Sequence, residues 1–249
     1  MSNSAVQYLS FNKSLQSSAL LAASPESGET VDLPLQYSWT LWQQHKAEDT
    51  QSADYKSSMK PLLTVSTAAE FWRAFVHVPQ PSHLLLSPSP PFLATSFMLF
   101  REGVRPEWED PLNRTGGHLQ FCLSLSDPHR IAKENAQSVL DPLQQAALLD
   151  DLFNTLVLGL IGNSLPHAAL ITGLRLVDKT KHSAPANPSS RTSAGHVRVE
   201  IWYSAELHTN EVALADLRRA VHQAISAAPA GQQPQSPLSL RIDARSHSP

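Results

Sequence analysis

The stretch HVRVEIWYS, residues 196–204, narrows the possible folds more than any other part of the chain. Side chains alternate across an extended backbone, so Val197, Val199, Ile201 and Tyr203 share one face, and Arg198, Glu200 and Trp202 the other. Such a strand has one dry face and one polar face, and it belongs in a sheet covered on a single side. The stretch AALITGLRLVD (168–178) repeats the rule, with Leu174 and Leu176 facing one way and Arg175 the other. Two strands therefore each offer an arginine on the face that helices leave open. Taken alone, this is also how an ordinary solvated sheet face is written.

Five more stretches read as strands: PLQYSWTLW, MKPLLTVS, SFMLF, HLQFCLSL and, near the C-terminus, LSLRIDA (238–244). In the first, Tyr37, Trp39 and Leu41 alternate with Ser38, Thr40 and Trp42. Three stretches carry helical spacing. STAAEFWRAFVHV places Phe71, Ala74, Phe75 and Val78 on one side, and Thr67 with Glu70 forms a capping box. The segment from Asp141 to Asn163 starts with a cap and Pro142, ends at Gly162–Asn163, and carries Leu148, Leu149, Leu152, Phe153, Leu156 and Leu160 as a broad apolar face. NEVALADLRRAVHQAI is the third helix. The order describes one α+β domain, an antiparallel sheet joined mainly by hairpins with three helices over one face.

Nineteen prolines against nine glycines, with clustered serines, mark the stretches without periodicity as padding. Residues 1–31 read as a disordered tail, 32–249 as the folded domain, and 79–93 and 178–196 as mobile inserts. A net charge of −3 argues against gripping long nucleic acid along a basic stripe, so any nucleic-acid partner must enter a local pocket. The one cysteine, Cys122 in LQFCLSL, excludes a disulfide framework and reads as a buried small hydrophobe. It points to the cytoplasm, with the nucleus as the alternative. No apolar run is long enough to span a membrane, and the N-terminus lacks the basic start of a signal peptide. The eleven histidines have no metal-ligand spacing, and no phosphate-cradling glycine loop or nucleophile motif is present. Nothing suggests an enzyme, a metal or a cofactor.

One loop stands apart. GVRPEWEDPLNRTGG (103–117) is built of turn residues, yet its centre holds Trp108 followed by Glu109 and Asp110. Loops seldom need a tryptophan for their own stability, which makes an aromatic ring beside a carboxylate a candidate binding pair.

Together, PLQYSWTLW, EFWRAF, FREGVRPEWEDPLNRTGG, GLIGN, VEIW and the terminal RSH resemble the eukaryotic translation initiation factor 4E family, the messenger-RNA cap-binding proteins, over roughly residues 33–248. The resemblance implies a curved antiparallel sheet with three helices on its convex back and a cap pocket on the concave side. The cap base, N7-methylguanine, carries a delocalised positive charge that aromatic faces attract. The resemblance makes Trp108 one slice of an aromatic sandwich and Glu109 the acceptor for the guanine N–H edge. The second slice falls on Tyr55, 17 positions before Trp72. Most initiation factors of the family have tryptophan there; tyrosine is typical of the 4E-homologous repressor branch. Trp202 matches the position near the N7-methyl group. Arg175 and Arg198 match phosphate-holding positions, and His118 stands where a basic residue usually follows the glycine pair. Leu119 and Val177 also depart from the family pattern.

The resemblance further implies a dorsal face of Pro34, Trp72, Leu158 and Gly162, on which scaffold or repressor proteins lay a Tyr-x-x-x-x-Leu-hydrophobic helix. Ala68 and Ala69 make that patch shallower than usual. The implied function is capped-mRNA binding by a monomeric, repressor-type or non-standard translation factor. A conventional initiation factor recruiting the scaffold subunit, and a protein-interaction scaffold with a degenerate cap pocket, stay open as alternatives.

Overall fold

The computed structural model describes residues 32–45, 58–86, 94–124, 142–179, 196–226 and 241–247. Seven strands, β1 (Pro34–His45), β2 (Met59–Thr67), β3 (Ala94–Arg101), β4 (Gly117–Ser124), β5 (Ile171–Asp178), β6 (His196–Tyr203) and β7 (Asp243–Ser246), form one sheet. Their spatial order is β2-β1-β3-β5-β6-β4-β7, and every neighbouring pair is antiparallel. The helices are α1 (Ala68–Phe75), α2 (Pro81–Leu86), α3 (Pro142–Ile161), α4 (Ala205–Thr209) and α5 (Glu211–Ser226).

The antiparallel α+β architecture agrees with the sequence expectation, but the hairpin connectivity needs correction. Only β1–β2 and β5–β6 are neighbours in both chain and space. The β5–β6 pair sits between β3 and β4, so the segment linking β3 to β4 has to span two strands.

The alternation read from sequence sorts the sheet into two faces. Trp39, Leu99, Phe121, Leu174, Val199 and Ile201 join Phe71, Phe75, Leu149, Leu156, Leu217 and Val221 of the helices in the main core. Burying each such side chain contributes roughly 1.5–3 kcal/mol. The opposite face carries a smaller cluster, Met59, Met98, Phe100, Val104 and Trp202, with Trp42 packed against it.

Local signals fix the helix ends. Thr67 has extended dihedrals and its Oγ1 accepts from the Glu70 amide at 3.3 Å. The Glu70 carboxylate reaches back to the Ser66 amide at 2.8 Å, one residue earlier than an ideal capping box. Pro142 opens α3. Its end is closed by Gly162 N–H donating to Leu158 at 2.8 Å and Ser164 N–H to Gly159 at 2.9 Å, with Asn163 in the left-handed region at φ 53°.

Three further expectations are corrected. The proline-rich stretch at 79–93 starts with a helix rather than a loop: Pro81 opens α2, the Ser82 amide donates to Asp150 of α3 at 2.8 Å, and Leu84 is buried. Of the expected last strand at 238–244, residues 238–240 lie outside the described residues, and the strand begins at Asp243 and runs to Ser246, with Ile242 entering the core ahead of it. Cys122 is exposed, because it lies across from Arg198 on the open face rather than with Leu119, Phe121 and Leu123. Residues 1–31, 87–93 and 180–195, for which a tail and mobile inserts are expected, lie outside the described residues.

Candidate functional site

Residues 102–116 join β3 to β4 and hold the tryptophan–glutamate pair. Two side chains close this loop on itself. The Asp110 carboxylate accepts from the Arg105 and Leu112 amides, both at 2.9 Å, and its carbonyl accepts from the Asn113 and Arg114 amides at 2.9 and 2.8 Å. Asn113 is fully buried, and its Nδ2 donates to the carbonyls of Arg105 at 2.9 Å and Glu107 at 3.0 Å. Glu107 is buried and pairs with Arg105 at 2.6 Å. With these polar groups turned inward, Trp108 is left 46% exposed and Glu109 is exposed beside it.

The glycine pair has a steric cause. A Cβ on Gly116 would lie 2.0 Å from the Tyr203 carbonyl oxygen, and one on Gly117 would lie 2.4 Å from that of Arg245. Both neighbours of β4 crowd its first residues, and only glycine admits that approach. At its other end, the loop is fastened by Val104 in the cluster that contains Trp202.

Glu200 is the centre of the open face. It is 2% exposed, and its carboxylate lies 2.7 Å from Arg198 and 3.8 Å from Arg175 and accepts from the Trp202 indole at 2.9 Å. Burial alone would raise its pKa, but Arg175 and Arg198 outweigh that and hold it below the usual carboxylate value. Arg175 also donates to Ser96 at 3.0 Å and to Gln44 at 2.8 Å. Arg198 keeps a buried Nε–H without an acceptor in the described structure.

Histidines line the side of this network next to the loop. His118 Nδ1 lies 2.9 Å from His247 Nε2, and His247 Nδ1 lies 2.9 Å from the Asn113 carbonyl. Both rings pack on Trp202, His118 nearly parallel at 5.9 Å and His247 tilted at 4.3 Å. Burial pushes both pKa values down. For His118, Glu200 opposes this and Arg198 and Arg175 reinforce it. For His247, the Asn113 carbonyl opposes it and His118 reinforces it. His118 thus packs on Trp202 and hydrogen-bonds to His247, with burial favouring its neutral form.

The structure thus gathers Arg175, Arg198, Trp202 and His118 around Glu200 and ties the Trp108–Glu109 loop to the same face. Tyr55 lies outside the described residues. On the helical side, Trp72 of α1 is 41% exposed, Pro34 and Gly162 are exposed, and Leu158 of α3 is half-buried. Leu33 and Val76, both exposed, lie near in sequence to Pro34 and Trp72. Sequence reasoning gave no role to Glu200, Asn113 or His247. Strand parity puts Glu200 between the arginine and the tryptophan, and His247 is the last residue of the RSH that belongs to the resemblance.

The family model described as "Eukaryotic initiation factor 4E" matches residues 34–230. The chain belongs to the eukaryotic initiation factor 4E family. Among curated relatives, the translation initiation factor NCBP of Triticum aestivum is 42% identical over 84 residues, 34% of this chain and 33% of that protein. Initiation factor 4E of Candida albicans is 31% identical over 132 residues, 53% of this chain and 52% of that one. The match thus spans about a third to a half of the length of these relatives. Among solved structures, C. elegans eIF4E-3 in complex with the 4E-binding protein Mextli aligns with a TM-score of 0.56 at 18% identity, covering 85% of this chain and 93% of that one. Ascaris suum eIF4E-3 with the m2,2,7G cap aligns with a TM-score of 0.54 at 18% identity, covering 84% and 98%. At these identities the two structures show that the 4E fold is shared. All seven strands and the one-sided helical cover agree with it.

Proposed function

We propose that this member of the 4E family binds the 7-methylguanosine cap of mRNA and acts in translation as a repressor-type or non-standard cap-binding protein. The observation that carries the reading is the Trp108–Glu109 pair, exposed on a loop that Asp110 and the buried Asn113 tie to itself. Trp108 stacks on the methylated base, a contact worth roughly 1–3 kcal/mol. The Glu109 carboxylate accepts from the guanine edge through charge-assisted bonds of about 1.5–3 kcal/mol each. Tyr55 is the second aromatic slice and the reason for favouring the repressor branch, since a phenol ring attracts a cation less than an indole does. Arg175 and Arg198, with His118 after the glycine pair, hold the phosphates. Trp202 supports that face from beneath. Trp72, Pro34, Leu158 and Gly162 form the dorsal surface for a partner helix. The protein works as a monomer in the cytoplasm, with no catalytic step.

Tryptophan-fluorescence titration with 7-methyl-GTP, with GTP as control, tests this. Quenching by the methylated nucleotide at concentrations where GTP has no effect is the expected result. Equal responses to both would overturn the cap reading. One observation favours a second reading, an interaction scaffold with a degenerate pocket: Glu200 already neutralises much of the charge of both arginines. Under that reading neither nucleotide quenches, while partner peptides still bind the Trp72 face.

A further inference from the structure

We propose that His247 is the positioning residue of the Trp108–Glu109 loop, acting through Asn113. The chemistry fixes the direction of the His247–Asn113 bond. A carbonyl oxygen only accepts, so at 2.9 Å from the Asn113 carbonyl the His247 Nδ1 carries the proton and donates. The neutral ring then offers Nε2 as an acceptor, which His118 Nδ1 fills at 2.9 Å. The Asn113 carbonyl also takes the Gly116 amide at 2.9 Å, so two donors hold it from two sides. Asn113 in turn grips the carbonyl of Glu107, the peptide that leads directly into Trp108. The path from the C-terminal strand to the site therefore has only two side chains, His247 and Asn113.

The surroundings suit this task. β7 is a four-residue edge strand paired with β4 over Gly117–Gln120. Its hold on the loop continues past its last residue, where the His247 amide donates to Gly116 at 3.1 Å. The ring is 8% exposed and rests on Trp202. His247 thus joins the floor of the open face to the rim that carries Trp108 and Glu109. A loop held from outside itself presents its aromatic ring and carboxylate at a lower ordering cost on binding.

This inference rests on the cap-binding reading for its effect on affinity, so the test has one arm that needs no nucleotide. Full-length His247→Asn places an amide nitrogen where Nδ1 stood; His247→Gln places one near Nε2, keeping the His118 side and losing the Asn113 bond. In the free protein, amide hydrogen exchange at Asn113, Arg114 and Gly116 is expected to quicken about tenfold in His247→Gln and to stay near wild type in His247→Asn. Affinity for 7-methyl-GTP is expected to fall about tenfold in the first and about twofold at most in the second. Circular dichroism checks that both fold. Unchanged exchange in His247→Gln, equal impairment in both variants, or failure of both to fold would overturn the positioning role. If wild-type protein does not distinguish 7-methyl-GTP from GTP, the cap reading fails while the exchange arm still decides this one.

Discussion

Replacing Glu200 by glutamine is the most demanding test of how the open face is held together. Glutamine keeps the shape and the acceptor for the Trp202 indole, so the change removes mainly charge. Two unit charges about 4 Å apart interact by roughly 4 kcal/mol at an effective dielectric of about 20, and much of that offsets the cost of burying the ions. Removing one partner of a fully buried pair costs about 3–5 kcal/mol because the other charge is left behind. Here the two guanidiniums differ. Arg175 is 12% exposed and recovers little hydration, whereas Arg198 is 29% exposed and recovers more. Arg175 also keeps Ser96 and Gln44 as acceptors. The net loss should therefore sit below the fully buried figure, at about 2–4 kcal/mol.

For a chain of this size, 1 kcal/mol moves Tm by roughly 2–4 °C, so Glu200→Gln should lower it by about 5–15 °C in a thermal melt followed by circular dichroism. The pH dependence supplies a second check. The Glu200 pKa is lowered in the folded protein, so on acidification the unfolded chain takes up its proton first. The stabilisation is complete at pH 7 and is lost as pH falls from the ordinary carboxylate value through the folded one. The gap between wild type and variant should close in that range. A Tm within about 2 °C of wild type at pH 7, or a gap that widens in acid, would refute Glu200 as the counter-ion of both arginines.

Glu109→Ala should abolish retention on cap-analogue resin with an unchanged circular dichroism spectrum, since the side chain is exposed; normal retention would remove Glu109 from base recognition. Trp72→Ala should change Tm by little, its ring being 41% exposed, while binding of a Tyr-x-x-x-x-Leu-hydrophobic peptide in a pull-down should be lost. His118 and His247 have folded pKa values below the ordinary histidine value, so the stability they confer is full above about pH 6.5 and declines as pH falls toward their folded values. Urea midpoints at pH 7.5 and 5.5 should show that loss, and replacing both rings with glutamine should flatten it.

What the sequence could and could not disclose follows from the range of the interactions involved. Strand parity is a local property, so the split between Trp39 and Trp42, or between Val199 and Glu200, was legible from alternation alone. The ends of α3 were legible for the same reason, although Asn163 rather than Gly162 takes the left-handed turn. Strand order was not, because β3 (Ala94–Arg101) pairs with β5 (Ile171–Asp178) across a long stretch of intervening chain and no turn signal encodes that. The helix α2 was hidden by its prolines, and the carboxylate that caps it lies 68 residues away in α3. Cys122 reads as buried from its apolar run, although the alternation sets it apart from Phe121 and Leu123 and the fold leaves it exposed. Trp108 and Glu109 announced themselves as a pair with no use in a core. The residues that hold them, Asn113 and His247, are 134 positions apart, and only the fold makes them neighbours.

The charge balance of the open face also bears on how a cap would be recognised. Arg175, Arg198 and Glu200 together carry one net positive charge, and burial lowers the pKa of His118 beside them. A triphosphate meeting that face has to compete with Glu200 for the same guanidinium nitrogens, so each further phosphate adds less than a free arginine pair would supply. If Trp108, Glu109 and Tyr55 hold the base as proposed, the base carries most of the discrimination. On the proposed reading, affinity should rise only slightly from 7-methyl-GMP to 7-methyl-GTP and steeply from GTP to 7-methyl-GTP. Glu200→Gln should steepen the first of these dependences and leave the second unchanged, because it frees the arginines without touching the loop.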